Sequence, residues 1–217
     1  MNKFLAIAVA GFTLAAVSHA SAAFTSNSAV FGPSKTDFTT SSITLQGFNT
    51  SLGTLTGVSL SLTSNATVGG SVTNNAPTAQ TFKVSTDTTV FLNSSASSVN
   101  SLSVDLLSSQ SYAAVASGAT AVYGPYAPST SALNVVGTPL SDYTAGPINF
   151  TAQTASSTTI QGGGNNIVAA INSTVSGTVQ VTYTYTPTPP AQVPEPASMA
   201  LLGVGLASLG LIRRRSV

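Results

Sequence analysis

The side chains able to do chemistry are few and widely spaced. The chain has no cysteine and a single histidine, His19, so a thiol nucleophile, a thiolate metal site and a disulfide framework are excluded. The acids are Asp37, Asp87, Asp105, Asp142 and Glu195. A glycosidase pair needs two carboxyls roughly 5 to 9.5 Å apart, and nothing in the spacing of these acids draws two together. A calcium loop needs acids clustered as in DxDxDG, and no such cluster occurs. Neither Lys35 nor Lys83 has a serine three residues before it, so no SxxK dyad is present. The run GGGNN, Gly162 to Asn166, lacks the lysine and spacing of a phosphate loop and reads as a flexible turn. The expectation is a chain with no catalytic residue, no cofactor and no metal site.

The composition points the same way. Charged residues make up 5% of the 217 positions, against about 25% in an ordinary soluble domain. Polarity comes instead from 33 Ser and 31 Thr, with Asn and 18 Gly. Between residues 24 and 186 stand two lysines against four aspartates, too little positive charge to neutralise a row of phosphates, so nucleic-acid binding is excluded. Exposed aromatics can stack on sugar faces, and YGPY, Tyr123 to Tyr126, is a candidate for that; burial under a proline turn is the plainer reading.

The elements that must position these groups begin with an export signal. Lys3, the apolar run from Phe4 to Val17 and the small-residue triplets SHA and SAA form a secretory signal peptide over residues 1–23, cut after Ala20 or Ala23. The run is short for a permanent membrane helix. Cleavage removes His19, leaving the exported chain without histidine.

The C-terminal end changes composition twice. Five of the 11 prolines fall between Pro187 and Pro196, so residues 187–192 form an extended linker. Residues 197–212, ASMALLGVGLASLGLI, carry no charge, and Arg213, Arg214 and Arg215 follow. Sixteen helical residues span about 24 Å, slightly short of a hydrocarbon core of about 30 Å, which makes a marginal transmembrane helix. The arginines orient the C-terminus to the cytoplasm and stop transfer.

VPEP at Val193 to Pro196, an apolar helix directly after it and a terminal arginine cluster together resemble the PEP-CTERM sorting signal of Gram-negative bacteria, here residues 193–217. The resemblance implies that Pro194, Glu195 and Pro196 are the motif recognised by an exosortase, a membrane-embedded enzyme expected to cut near it. It also implies a membrane-anchored precursor that ends at the cell surface or in an exopolysaccharide-rich biofilm matrix. Physically, a proline on each side of Glu195 holds the backbone extended for a cleft, and the chain's only glutamate supplies one unambiguous charge.

Residues 24–186 read as all-β. Val58, Leu60 and Leu62, then Leu102, Val104 and Leu106, then Val179, Val181, Tyr183 and Tyr185 alternate with Ser, Thr or Gln, the period-two pattern of half-buried antiparallel strands. Phe82 with Val84 and Ile148 with Phe150 add strands, separated by turns at NNAP, GPYAP and GGGNN. YAAVASGATAV, Tyr112 to Val122, reads as strand, turn, strand despite its alanines. An antiparallel β-sandwich of about eight to ten strands is expected. Phe48 to Asn74, SDYTAGPINF and VQVTYTYT are similar to the choice-of-anchor E domains, exported β-rich bacterial domains that precede interchangeable surface anchors. Asn49 stands where an Asp is expected in that pattern, which speaks against a metal ligand there.

The expected function is therefore a non-enzymatic, exported surface or matrix protein sorted by an exosortase and associated with exopolysaccharide. A carbohydrate-binding adhesin module is the alternative.

Overall fold

The computed structural model describes residues 21–38, 41–94, 101–136, 139–189 and 203–206. Residues 22–188 form one compact unit, with nine strands among the described residues: β1 Ala23–Lys35, β2 Ser41–Leu45, β3 Gly53–Asn74, β4 Gln80–Ser94, β5 Leu102–Val115, β6 Thr120–Tyr126, β7 Ser129–Val136, β8 Ile148–Gly162 and β9 Ile167–Pro187. All pairings are antiparallel.

One sheet runs β1-β9-β3, with the far edge of β3 covered by β7 and β6 end to end; the other runs β2-β8-β4-β5. The long strands β3 and β9 pair from Gly53 opposite Pro187 to Asn74 opposite Ile167. β7 then lies along Val58 to Asn65 and β6 along Val68 to Thr73. The period-two pattern is the cause. On β3 the even positions Val58, Leu60, Leu62, Ala66, Val68 and Val72 are buried, and on β9 the odd positions Val175, Val179, Val181 and Tyr183 are. β4, β5 and β8 supply the facing layer through Val84, Val90, Leu92, Val104, Leu106, Ile148 and Phe150. Each sheet thus buries one face against the other.

The strand, turn, strand reading of Tyr112 to Val122 holds: β5 ends at Val115, a turn follows at Ser117 and Gly118, and β6 starts at Thr120. The turn expected at GPYAP is displaced. Gly124, Pro125 and Tyr126 remain in β6, where a register shift between Val68 and Gly70 of β3 absorbs the extra residue, and the connection is Ala127 and Pro128.

Two local features hold the ends of the sandwich. Asn74 is fully buried at the end of β3. Its Nδ2 donates to the carbonyls of Val115 at 2.8 Å, Thr78 at 3.0 Å and Ala116 at 3.2 Å, while Oδ1 accepts from the Ala76 N–H at 2.9 Å. One side chain therefore ties the β3–β4 turn to the β5–β6 turn. At the other end three segments distant in sequence meet. Phe48 packs on Tyr183 and Tyr185 at centroid distances of 5.7 and 5.3 Å, and Tyr143 lies edge-on to Tyr183. The Phe48 N–H donates to the Tyr143 carbonyl at 2.6 Å. Asn49 is a turn cap whose Oδ1 accepts from the Ser51 N–H at 3.0 Å.

The core is not uniformly apolar. Ser64, Thr86, Thr88, Ser108, Thr154 and Ser173 are buried, and some of them hydrogen-bond to neighbouring hydroxyls. Ser108 Oγ meets the Tyr123 hydroxyl at 2.9 Å, and Thr36 Oγ1 meets Ser173 Oγ at 2.7 Å. This polar seam opens to the surface beside the end of β1.

Candidate functional site

The opening of the seam is a cleft of about 380 Å³ between the two sheets, lined by Lys35 at the end of β1, Thr36 and Asp37 after it, Thr86 of β4, Ser156 and Thr158 of β8, and Ile171, Asn172 and Ser173 of β9. Its ordered centre is Asp37, which adopts a left-handed backbone conformation with φ 65°. Asp tolerates this region better than most residues because its short side chain bonds locally. The Asp37 N–H donates to Thr154 Oγ1 at 2.9 Å, and Oδ1 accepts from the Ser156 N–H at 2.7 Å and the Ser156 hydroxyl at 2.9 Å. These contacts fix the carboxylate by one oxygen. Oδ2 accepts no hydrogen bond from the described residues. Thr86 and Thr158 hydroxyls lie 3.4 Å apart beside it. The cleft is a concavity lined by five hydroxyl side chains, one carboxylate, one ammonium, the Asn172 amide and the apolar Ile171.

The other aspartates lie elsewhere. Asp87 and Asp105 are diagonal neighbours on the outer face of the four-stranded sheet, opposite Leu107 and Thr89 respectively, and Thr89 donates to Asp105 at 2.8 Å. Asp87 Oδ1 is buried without a hydrogen-bond partner. Asp142 belongs to a 3-10 turn, Ser141–Tyr143. Asp37 is thus the one carboxylate lining the cleft among the described residues, and no group of three or more His, Cys, Asp or Glu occurs among them.

The YGPY aromatics are packing groups. Tyr123 is fully buried and Tyr126 half-buried, their rings edge to face at 5.1 Å. The Tyr126 hydroxyl donates to Gln110 Oε1 at 2.7 Å. Tyr123, closed off in this way, presents no face to a sugar. Tyr183 is also internal. Its hydroxyl donates to the Gln46 carbonyl at 2.8 Å, and burial, with a smaller contribution from Tyr143, pushes its pKa up to about 12.

The sorting residues fall at the margins. Pro194, Glu195, Pro196, Arg213, Arg214 and Arg215 lie outside the described residues, as does Ala20; Ala23 opens β1 opposite Tyr185. Of the expected membrane span 197–212, residues 203–206 are described and are helical, and among the described residues no helix is long and apolar enough to cross a membrane. The cleft itself was not foreseen in the sequence. Its members are separated by 117 residues or more along the chain at the Asp37–Thr154 and Asp37–Ser156 contacts. The signal available was the placing of Thr86, Thr88, Thr154 and Ser173 in the phase of their strands that faces the core.

No curated protein matches the chain. A solved structure of infectious bursal disease virus Gt strain is similar at 12% identity over 94% of this chain and 53% of that one, with a TM-score of 0.12. The chain spans about half the length of that viral chain, and a likeness so low carries no argument. The family model of the PEP-CTERM protein-sorting motif matches residues 192–215. The chain therefore carries a PEP-CTERM sorting motif, which implies an exported, membrane-anchored precursor that an exosortase processes for the cell surface.

Proposed function

We propose that this chain is a non-enzymatic component of the cell surface or extracellular matrix, released from its membrane anchor by an exosortase and associated with exopolysaccharide in a biofilm. The observation that carries the reading is the sorting motif over residues 192–215. Its parts do different work. Residues 197–212 insert, Arg213 to Arg215 stop and orient the segment, and Pro194, Glu195 and Pro196 present extended backbone at the outer face of the membrane. The sandwich is then the delivered cargo. Among the described residues the cleft offers a single carboxylate, that of Asp37. Its hydroxyl lining favours a second reading, a carbohydrate-binding adhesin module.

Glu195→Ala tests the sorting role. The motif lies outside the hydrocarbon, so insertion stays intact while processing fails and uncut chain accumulates in the membrane fraction. Replacing all three arginines with Ser instead weakens retention, since each resists transfer by roughly 2.5–3.5 kcal/mol at a membrane centre. Immunoblots of membrane and released fractions separate these outcomes. A Glu195→Ala chain trimmed and released like wild type would make the tail a passive anchor.

A further inference from the structure

We propose that the cleft beside Asp37 binds one pyranose unit of a polysaccharide. The inference rests on the reading of the sandwich as a module that meets matrix carbohydrate, and it names the place and the chemistry of that contact. Four observations converge. The volume, about 380 Å³, lies in the range of small-ligand pockets, roughly 300–1,000 Å³, and suits a single ring better than a longer chain. Most of the lining residues carry hydroxyls, which both donate and accept as sugar hydroxyls do, and Asn172 and Ile171 add an amide and an apolar surface. Lys35 and Asp37 leave the lining without net charge, which disfavours a phosphate or a metal cation and fits a neutral polyol.

The fourth observation is the state of Asp37. Two hydrogen bonds from Ser156 clamp Oδ1, and the backbone is held in a sparsely populated conformation. Strain of this kind persists only where surrounding structure over-determines it. The fixed carboxylate leaves Oδ2 uncommitted, a preoriented acceptor for a sugar O–H that costs little side-chain entropy on binding. Thr36, Ser156, Thr158 and Ser173 already share hydrogen bonds with one another or with groups beside them, so a ligand hydroxyl can enter that network without stranding a buried polar group.

The test uses the exported protein and a panel of free glucose, galactose, mannose, N-acetylglucosamine and glucuronate, with binding followed by saturation-transfer NMR. Co-sedimentation with exopolysaccharide of the producing cells is measured in parallel. At least one pyranose should bind. Asp37→Asn should weaken it about tenfold, the loss of one charge-assisted hydrogen bond. Asn keeps the acceptor used by Ser156 and also tolerates the left-handed backbone. Thr158→Val, at an exposed position of the rim, should weaken binding severalfold and keeps the test alive if Asp37→Asn misfolds by circular dichroism. Thr63→Ala, on the outer face of the five-stranded sheet, should change nothing. Equal binding by wild type, Asp37→Asn and Thr158→Val would overturn the site. Co-sedimentation with no pyranose bound would overturn the cleft and leave the matrix reading standing. Failure of both would remove the two together.

Discussion

Removing the side chain of Asn74 should be among the most damaging single changes on the surface-to-core boundary of the sandwich. The perturbation is Asn74→Ala. Backbone pairing survives it, because the Asn74 N–H still donates to the Ala119 carbonyl and the Asn74 carbonyl still accepts from Gly118. What is lost is one acceptor and the shared donors to three carbonyls, all at 2.8 to 3.2 Å, around a side chain with no exposed surface. Each bond contributes about 1 kcal/mol net, and a buried group left without a partner costs about 1–3 kcal/mol. With some rehydration of the turn carbonyls, the loss should be about 3–5 kcal/mol, a large share of a typical stability of roughly 5–15 kcal/mol. Urea unfolding followed by circular dichroism measures it. Asn74→Asp sharpens the argument. The new carboxylate would face three carbonyls and be desolvated, so its folded pKa should rise above the unfolded value of about 3.9. A raised folded pKa means that the variant keeps more stability below pH 4 and loses it as pH rises through the folded pKa. A loss under 1 kcal/mol for Asn74→Ala, with Asn74→Asp indifferent to pH between 4 and 7, would refute the reasoning.

Two further outcomes follow from the core. A methyl on Gly177 would collide with the Phe31 ring at 2.5 Å and Ser64 Oγ at 2.7 Å, so Gly177→Ala should cost about 1–3 kcal/mol by overpacking. Adding Phe31→Leu should recover part of the loss, a coupling that a double-mutant cycle of urea midpoints reads directly. Tyr183, 2% exposed, has a folded pKa of about 12 against about 10 unfolded. Burial penalises the ionised form, so stability is held below pH 10 and falls as pH rises toward 12. Tyr183→Phe should lower stability modestly at pH 8 and shrink the alkaline loss, and an unchanged alkaline slope would contradict the assignment.

The strands that bury one full face were legible, because alternation survives in a local window. Val58, Leu60 and Leu62 of β3 and Val179 to Tyr183 of β9 show it plainly. β1 was harder to read. As an edge strand it buries Phe31 and only part of Ala29, with Phe24 and Val30 exposed, so its pattern reverses the usual rule. Nor does any window reveal that β9, the last strand, lies between β1 and β3, since that choice is made by packing between distant segments. The cleft was hidden for a related reason. A threonine in a strand reads as an outward residue, yet Thr86, Thr88 and Thr154 occupy core positions. NNAP read as a turn, and the turn is there, but Asn74 also organises a second turn more than 40 residues away. The sorting motif was legible because its proline-held glutamate, apolar segment and arginines lie in order within about 25 residues of sequence.

We propose that both ends of this chain are address labels and that the sandwich between them is what reaches the surface. The intact mass of the protein recovered from the surface of the producing cells tests this most directly. The recovered chain should begin at Ser21 or Phe24 and should have lost the apolar segment and the arginines beyond the Pro194–Pro196 motif. Recovery of a chain that begins at Met1, or one that still carries residues 197–217, would contradict it.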